Sequence, residues 1–272
     1  MHVYNKVGNI MTQFRKQEIT VGADPEAFGV DQQGNIVSMI GKIGGSKHKP
    51  LPCKSGAMQE DNILAEFNID PATTSEQFIH NLKTVMGELH TKIAPYKLEF
   101  KSHAMFEPKF LEAAGPQAME FGCEPDYNAW TLEMNDRPDA SQLMRTAAGH
   151  VHIGFNAQDE LDAFRAAILM DFYVGLPSVL LDPEGKERRG MYGQAGACRP
   201  KPYGVEYRVP SNFWLKDEKA MKWMFDSTIE AIQNLHRFDD LRQNHGEQVT
   251  TIINTSDQRG AEQLMKQVGI SL

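Results

Sequence analysis

One stretch, Ala147-Ala148-Gly149-His150-Val151-His152-Ile153-Gly154-Phe155, constrains this chain more than any other. Extended backbone turns successive side chains to opposite faces, so His150 and His152 share one face and Val151 and Ile153 the other. Such a segment needs an apolar layer on one side and room for two imidazoles, roughly 7 Å apart, on the other. Glycine at both ends suits close approach of neighbouring chain or a tight exit. A half-buried strand with ordinary surface histidines and the wall of a cleft both satisfy this pattern. The remaining segments decide between them.

Three of those segments repeat the plan. Glu18–Phe28 reads as a first strand in which Asp24 and Glu26 share a face, with Pro25 favouring an edge position or a bulge. From Asn62 to Asn68 the alternation sets Asn62, Leu64, Glu66 and Asn68 against Ile63, Ala65 and Phe67. An acid inside an otherwise apolar strand needs a partner, a cation or water, which points to a ligand or metal role for Glu66. Gly204–Pro210 places Glu206 and Arg208 on one face of a short strand. Carboxylates in this number favour Mg²⁺ or Mn²⁺. Two histidines with an acid would suit a rival chemistry, a zinc hydrolase that activates water without a nucleotide.

Two loops carry positive charge. Gly41–Pro50 mixes glycines with Lys42, Lys47 and Lys49, material for holding phosphate through exposed N–H groups, although Walker A spacing is absent. Gly185–Pro202 concentrates Lys186, Arg188, Arg189, Arg199 and Lys201 in a chain of net charge −8, which predicts an anion site. Asn135–Pro138 is expected to be an exposed turn with Arg137 available to an anion. Cys123, in the mixed loop Phe121–Trp130, has no base at a recognisable spacing and is a poor nucleophile candidate.

The scaffold reads as α+β, a mostly antiparallel sheet with helices on one face. A turn at Asp31–Asn35 leads to a strand Ile36–Ile40, and Lys97–Glu107 alternates as another strand. Thr74 opens a helix over Ser75–Ile93, and further helices are expected over 158–175, 216–241 and 257–268, with a loop at 243–256. Residues 1–17 read as an N-terminal arm and 1–272 as a single catalytic domain. At 41% hydrophobic and 24% charged residues the composition is that of a soluble globular protein, and the negative net charge argues against general nucleic-acid binding. Cys53, Cys123 and Cys198 form no CxxC pair, which suggests reduced thiols and a cytoplasmic location. No uninterrupted apolar run approaches membrane-spanning length and the first residues lack a signal-peptide core, so no membrane partner is expected. Oligomeric state is not legible in any of these patterns.

In combination the segments resemble a known group. GADPEAF (22–28), GKIGGSK (41–47), AEFNIDPAT (65–73), FGCEPDYNAW (121–130), GHVHIG (149–154) and YGQAGACRPKPYGVEYRVPSNFW (192–214) are similar, in that order, to phage-type carboxylate–amine ligases (amidoligases), relatives of glutamine synthetase and glutamate–cysteine ligase. The resemblance implies a glutamine-synthetase-like catalytic sheet, and ATP with Mg²⁺ or Mn²⁺ used to join a small-molecule or peptide carboxylate to an amine through an acyl-phosphate. By that likeness Glu26, Glu66 and Glu206 would be metal ligands, and His150 a ligand to metal or phosphate. Arg199 and Arg208 would contact phosphate or acyl-phosphate with His152 nearby, and Lys47 and Arg189 would serve the nucleotide. If the chain is phage-encoded, its location would be the host cytoplasm. A metal-dependent hydrolase built on His150 and His152, and a non-enzymatic phage accessory or structural protein, are the alternative readings.

Overall fold

The computed structural model describes residues 18–119, 126–136, 143–157 and 160–272. The strands are β1 Thr20–Val30, β2 Ile36–Val37, β3 Leu51–Cys53, β4 Gly56–Asp61, β5 Leu64–Ile69, β6 Lys97–Glu99, β7 His103–Met105, β8 Tyr127–Asn128, β9 Met144–Thr146, β10 Gly149–Gly154, β11 Ala197–Lys201 and β12 Gly204–Tyr207. The α-helices are α1 Ser75–Ile93, α2 Pro108–Ala114, α3 Glu160–Met170, α4 Leu176–Leu181, α5 Lys186–Met191, α6 Glu218–Gln233, α7 Phe238–Thr255 and α8 Gln258–Val268.

Ten strands form one antiparallel sheet in the order β3-β4-β5-β1-β10-β12-β11-β8, with β2 and β6 pairing on β1. Strand β1 is the axis of this sheet. Its 11 residues pair with β10 over Thr20–Pro25, with β5 at Glu26 and Ala27, and with β6 at Phe28–Val30. Pro25 therefore lies in a central strand, not at an edge. Its missing N–H is accommodated on the β5 side, where the pairing lapses and the register slips by one residue between Val21 opposite Ala72 and Glu26 opposite Glu66.

One face of the sheet meets the helices. Val21, Ala23 and Ala27 of β1, Ala65, Phe67 and Ile69 of β5, Val151 and Ile153 of β10, and Val205 and Tyr207 of β12 share a core with Phe78, Phe172, Trp214 and Met224. Each large apolar side chain fully buried there contributes roughly 1.5–3 kcal/mol. The α+β class, with helices on one face of an antiparallel sheet, is as expected. The glycines that bracket the histidine strand are there for close approach. A Cβ on Gly149 would lie 2.4 Å from the Ser211 carbonyl oxygen, and one on Gly154 would lie 2.2 Å from Thr20 Oγ1.

Helix α1 begins where its cap predicts. The Thr74 side chain accepts the Gln77 N–H, and Phe78, Leu82, Val85, Leu89 and Ile93 form the buried stripe. The segment Leu161–Leu181 is long and apolar enough to span a membrane by composition, yet most of it is buried in the core. It runs on past Gly175 because a π-turn over Asp171–Gly175 joins α3 to α4.

Elsewhere the structure corrects the boundaries. The strand expected at Ile36–Ile40 is only Ile36–Val37, and Lys97–Glu107 divides into β6 and β7. Asn62 is not in β5. It holds a φ of 53° in the two-residue turn between Asp61 and Leu64 that joins β4 to β5. The helix expected over 216–241 is divided by Asn234, and the expected loop at 243–256 belongs to α7 as far as Thr255, with Ser256 its left-handed cap. Residues 1–17, Cys123 and Arg137 lie outside the described residues.

Candidate active site

Alternation sends a second set of side chains to the face away from the helices. It comprises Gln59 and Asp61 from β4, Glu66 from β5, Asp24 and Glu26 from β1, His150 and His152 from β10, Arg199 and Lys201 from β11, and Glu206 from β12, with Arg208 just beyond. Strand register sets the neighbours. Glu26 stands opposite Glu66, Asp24 opposite His150, and Glu206 opposite both His152 and Arg199. Because the side-chain period is two, a one-residue slip in any strand would remove its contribution from this face.

The acidic end lies on β4, β5 and β1. Glu26 Oε2 accepts the Ala148 N–H at 2.8 Å, and Glu66 Oε2 accepts a hydrogen bond from Gln59 Nε2 at 2.6 Å. Burial, together with the charge of Asp61, pushes the Glu26 carboxyl up to about 8. Burial and the neighbouring Asp61, Asp24 and Glu26 hold Glu66 well above the usual carboxylate range, and burial raises Asp61 as well. Like charges desolvated together disfavour ionisation, and a cation among them would reverse this.

The basic end lies on β11 and β12. Glu206, 1% exposed, meets Arg199 at 3.0 Å, Lys201 at 2.9 Å and Arg208 at shorter range. Arg208 also donates to Asp126 Oδ2 at 3.0 Å, to His150 Nδ1 at 3.3 Å and to the Tyr192 hydroxyl. Arg188, fully buried, donates to the carbonyls of Val209 and Arg208, and its guanidinium and that of Arg208 lie 5.3 and 5.4 Å from the Tyr192 ring centroid. Burial lowers the Arg188 pKa to about 10, which leaves it charged at neutral pH.

The histidines stand between the two ends. Burial, then the Arg208 charge, pushes His150 down to about 3, so its imidazole is neutral. Burial works against charge on His152 too, but Asp24 and Glu206 outweigh it and the net shift is upward. Burial alone would raise Asp24; the two histidines reverse that and hold it below the usual carboxylate range. Asp24, His152 and Glu206 each offer one ligand atom within 4.8 Å of the others, a geometry that a metal ion fits.

Seven of the residues singled out from the sequence, Glu26, Glu66, Glu206, His150, His152, Arg199 and Arg208, are thus brought to one face. Lys47 is exposed on its loop and near enough to Asp61 to act on that carboxyl. Two of the loop's N–H groups, those of Ile43 and Gly44, are already bonded to Glu60. Arg189 is not brought to this face. Its Nε donates to Ser256 Oγ at 2.9 Å and its Nη2 to the Asp182 carbonyl at 2.9 Å, which ties α5 to the helical layer. Successive helical residues point about 100° apart, so of two adjacent arginines Arg188 is directed to the site and Arg189 away from it. Asp61, Asp126 and Tyr203 were not singled out from the sequence for this site, and Arg188, Lys201 and Tyr192 only as part of the basic stretch 185–202 that predicts an anion site. For Asp61 the available signal was the alternation of Gln59 and Asp61 with Met58 and Glu60.

Residues 144–266 match the model of a family described as phage phiEco32-like COOH.NH2 ligase-type 2. The matched segment, in the second half of the chain, is similar to that carboxylate–amine ligase family. The match takes in the histidine strand, the arginines and Glu206, while Asp24, Glu26, Asp61 and Glu66 lie before it. Among solved structures, the chain is similar at 10% identity to a novel glutamine synthase homolog, with a TM-score of 0.41 over 96% of this chain and 69% of that one. It is also similar at 10% identity to a bifunctional glutathione synthetase from Pasteurella multocida, with a TM-score of 0.40 over 99% of this chain; the chain spans about half (51%) of that protein's length. No curated protein matches the sequence.

Proposed function

We propose that this protein is an ATP-dependent carboxylate–amine ligase that forms an amide through an acyl-phosphate, within a single catalytic domain. The observation that carries the reading is the division of charge on one sheet face. Half-buried, mutually repelling carboxylates at Glu26, Glu66 and Asp61 stand beside the buried guanidiniums of Arg188 and Arg208 and the half-buried one of Arg199. The acids are hard oxygen donors whose raised pKa values call for a cation, which suits Mg²⁺ or Mn²⁺. Glu26, Glu66 and Asp61 would hold such an ion, with Asp24, His152 and Glu206 as a second set and His150 beside it. Bound there, the ion would neutralise phosphate oxygens.

The remaining chemistry belongs to the chain's own groups. A substrate carboxylate oxygen bonds to the γ-phosphorus of ATP and ADP departs, leaving an acyl-phosphate. A neutral amine then adds to the carbonyl carbon, and the tetrahedral oxyanion collapses to amide and inorganic phosphate, the amine proton passing to a nearby carboxylate. Arg208 and Arg199, held by Glu206, Asp126 and Tyr192, would stabilise negative charge in both steps. Neutral His150 spaces Arg208 from Asp24 without adding charge. Of the nucleotide contacts suggested by the sequence, Lys47 is retained in this reading and Arg189 gives way to Arg188.

A zinc hydrolase would draw both histidines and an acid around one ion. Here His150 Nδ1 is taken up by Arg208, and among the described residues the ligand set includes His152 but not His150. Calorimetric titration of the full chain with a non-hydrolysable ATP analogue, with and without Mg²⁺, tests the reading. Saturable, Mg²⁺-dependent binding that is lost in Glu66→Gln is expected. A folded wild-type protein that binds no nucleotide under either condition would overturn it.

A further inference from the structure

Tyr203 lies in the turn between β11 and β12, is 46% exposed, and its carbonyl accepts the Phe155 N–H at 2.9 Å. Its hydroxyl is 2.5 Å from His152 Nδ1, and the two rings lie 6.1 Å apart at 42°. On the other side of the imidazole, Nε2 is 3.0 Å from Asp24 Oδ1, but the approach is off line and Oδ1 takes no well-formed hydrogen bond. The directional contact on His152 is therefore the one from Tyr203. This matters because the outer torsion of a histidine is soft and roughly two-fold. Without a directional partner the ring can turn over at little cost, which puts Cδ2 where Nδ1 was and Cε1 where Nε2 was.

We propose that Tyr203 is a positioning residue for His152, its hydroxyl selecting the ring orientation that turns Nε2 towards Asp24 and Glu206. A phenol is neutral at pH 7 and both donates and accepts, so it can hold Nδ1 whichever nitrogen carries the proton. Its ring has a second use. With His152, Gly22, Gly154, Asn68 and Pro71 it encloses a cavity of about 340 Å³ that opens beside the Asp24–His152 pair. Loss of the hydroxyl and loss of the ring should therefore have different consequences.

The effect on turnover rests on the ligase reading, whereas the orientation of His152 does not, and the test uses that difference. In the full chain labelled with ¹⁵N-histidine, long-range ¹H–¹⁵N spectra report both ring nitrogens of His152, assigned by comparison with His152→Gln. The wild-type Nδ1 signal is expected to be that of a hydrogen-bonded nitrogen; in Tyr203→Phe it should move, and the ring signals should broaden as the ring turns over, with the melting temperature unchanged. In the ligase assay Tyr203→Phe should lower kcat roughly tenfold, the worth of one hydrogen bond, with KM retained. Tyr203→Ala should raise KM as well, because the cavity loses its wall. Unchanged His152 signals in Tyr203→Phe overturn the proposal, whatever turnover does. A wild-type protein without ligase activity would overturn only the functional reading, and the spectra would still decide on Tyr203.

Discussion

Asp171 should make the stability of this protein fall as pH rises from mildly acidic to mildly alkaline. It sits in the π-turn beneath the sheet, fully buried, with Trp130 Nε1 donating to Oδ2 and the Tyr207 hydroxyl donating to Oδ1, each at 2.6 Å. Burial pushes its pKa up to about 7 despite these donors, against 3.8 for the free side chain. A carboxyl with a raised folded-state pKa adds stability that is fully present below the unfolded value and is lost as pH rises through the folded one. A separation of roughly three units corresponds to about 4 kcal/mol, an upper figure. Asp171→Asn removes the titration and keeps the shape. Its carbonyl can still accept from Trp130, and its amide can donate to the Tyr207 oxygen, at a cost of about 1 kcal/mol for the altered pairing. Urea unfolding of both proteins between pH 4 and 8 isolates the effect, because other titrating groups cancel in the difference. The wild type should be the more stable at pH 4, and the gap should close or reverse by pH 8. A gap independent of pH would refute the reasoning.

Two pairs of substitutions probe the rest of the framework. Gly149→Ala forces a Cβ to 2.4 Å from the Ser211 carbonyl oxygen, an overpacking expected to cost about 1–3 kcal/mol. Gly22→Ala, whose nearest contact would be 3.6 Å, should leave the thermal melt unchanged while adding a methyl to the cavity floor. Arg208→Met leaves buried Asp126 without its ion-pair partner, while Glu206 keeps Arg199 and Lys201, and should destabilise by about 3 kcal/mol as well as abolish turnover. Arg189→Met should also lower the melting temperature, yet leave nucleotide binding by calorimetry intact, because its partners Asp182 and Ser256 lie off the site.

Period-two alternation made the site face legible because β10 and β12 separate polar from apolar residues, and β1 and β5 break the pattern at Phe28 and Leu64. That is why Glu66, His150, His152, Glu206 and Arg208 could be gathered before any coordinates. Direction within a short helix has no such signature, so the density of charge in residues 185–202 announced an anion site without distinguishing Arg188 from Arg189. The helical residues 243–255 were hidden for a different reason. Gly246, Thr250, Thr251 and Thr255 favour helix weakly, and tertiary packing overrides them. Gly246 lies against the Trp130 ring, and the Thr250 and Thr255 hydroxyls bond back to the carbonyls of Gly246 and Thr251. Val249, Ile252 and Ile253 supply the buried stripe. None of those partners is close in sequence except the hydroxyls' own helix.

The acidic end should be a site where function and stability oppose one another. Glu66 stands half-buried opposite Glu26 and near Asp61, and its hydrogen bond from Gln59 does not offset that repulsion, as the raised carboxyl pKa values indicate. Glutamine has the same length and can still accept from Gln59, but carries no charge. Glu66→Gln should therefore raise the melting temperature in the presence of EDTA, where the acids face one another unaided. Relief of about 1–2 kcal/mol would move a domain of this size upward by roughly 2–8 °C. Divalent cation should reverse the order. An ion that binds the folded wild type at a hundred times its dissociation constant stabilises it by about 2.7 kcal/mol. The variant, lacking one ligand, should gain less. Differential scanning in EDTA and in Mg²⁺ or Mn²⁺ reads both halves. If Glu66→Gln melts lower than the wild type in EDTA, and the wild type is unmoved by either ion, the acids are held by something other than a missing cation.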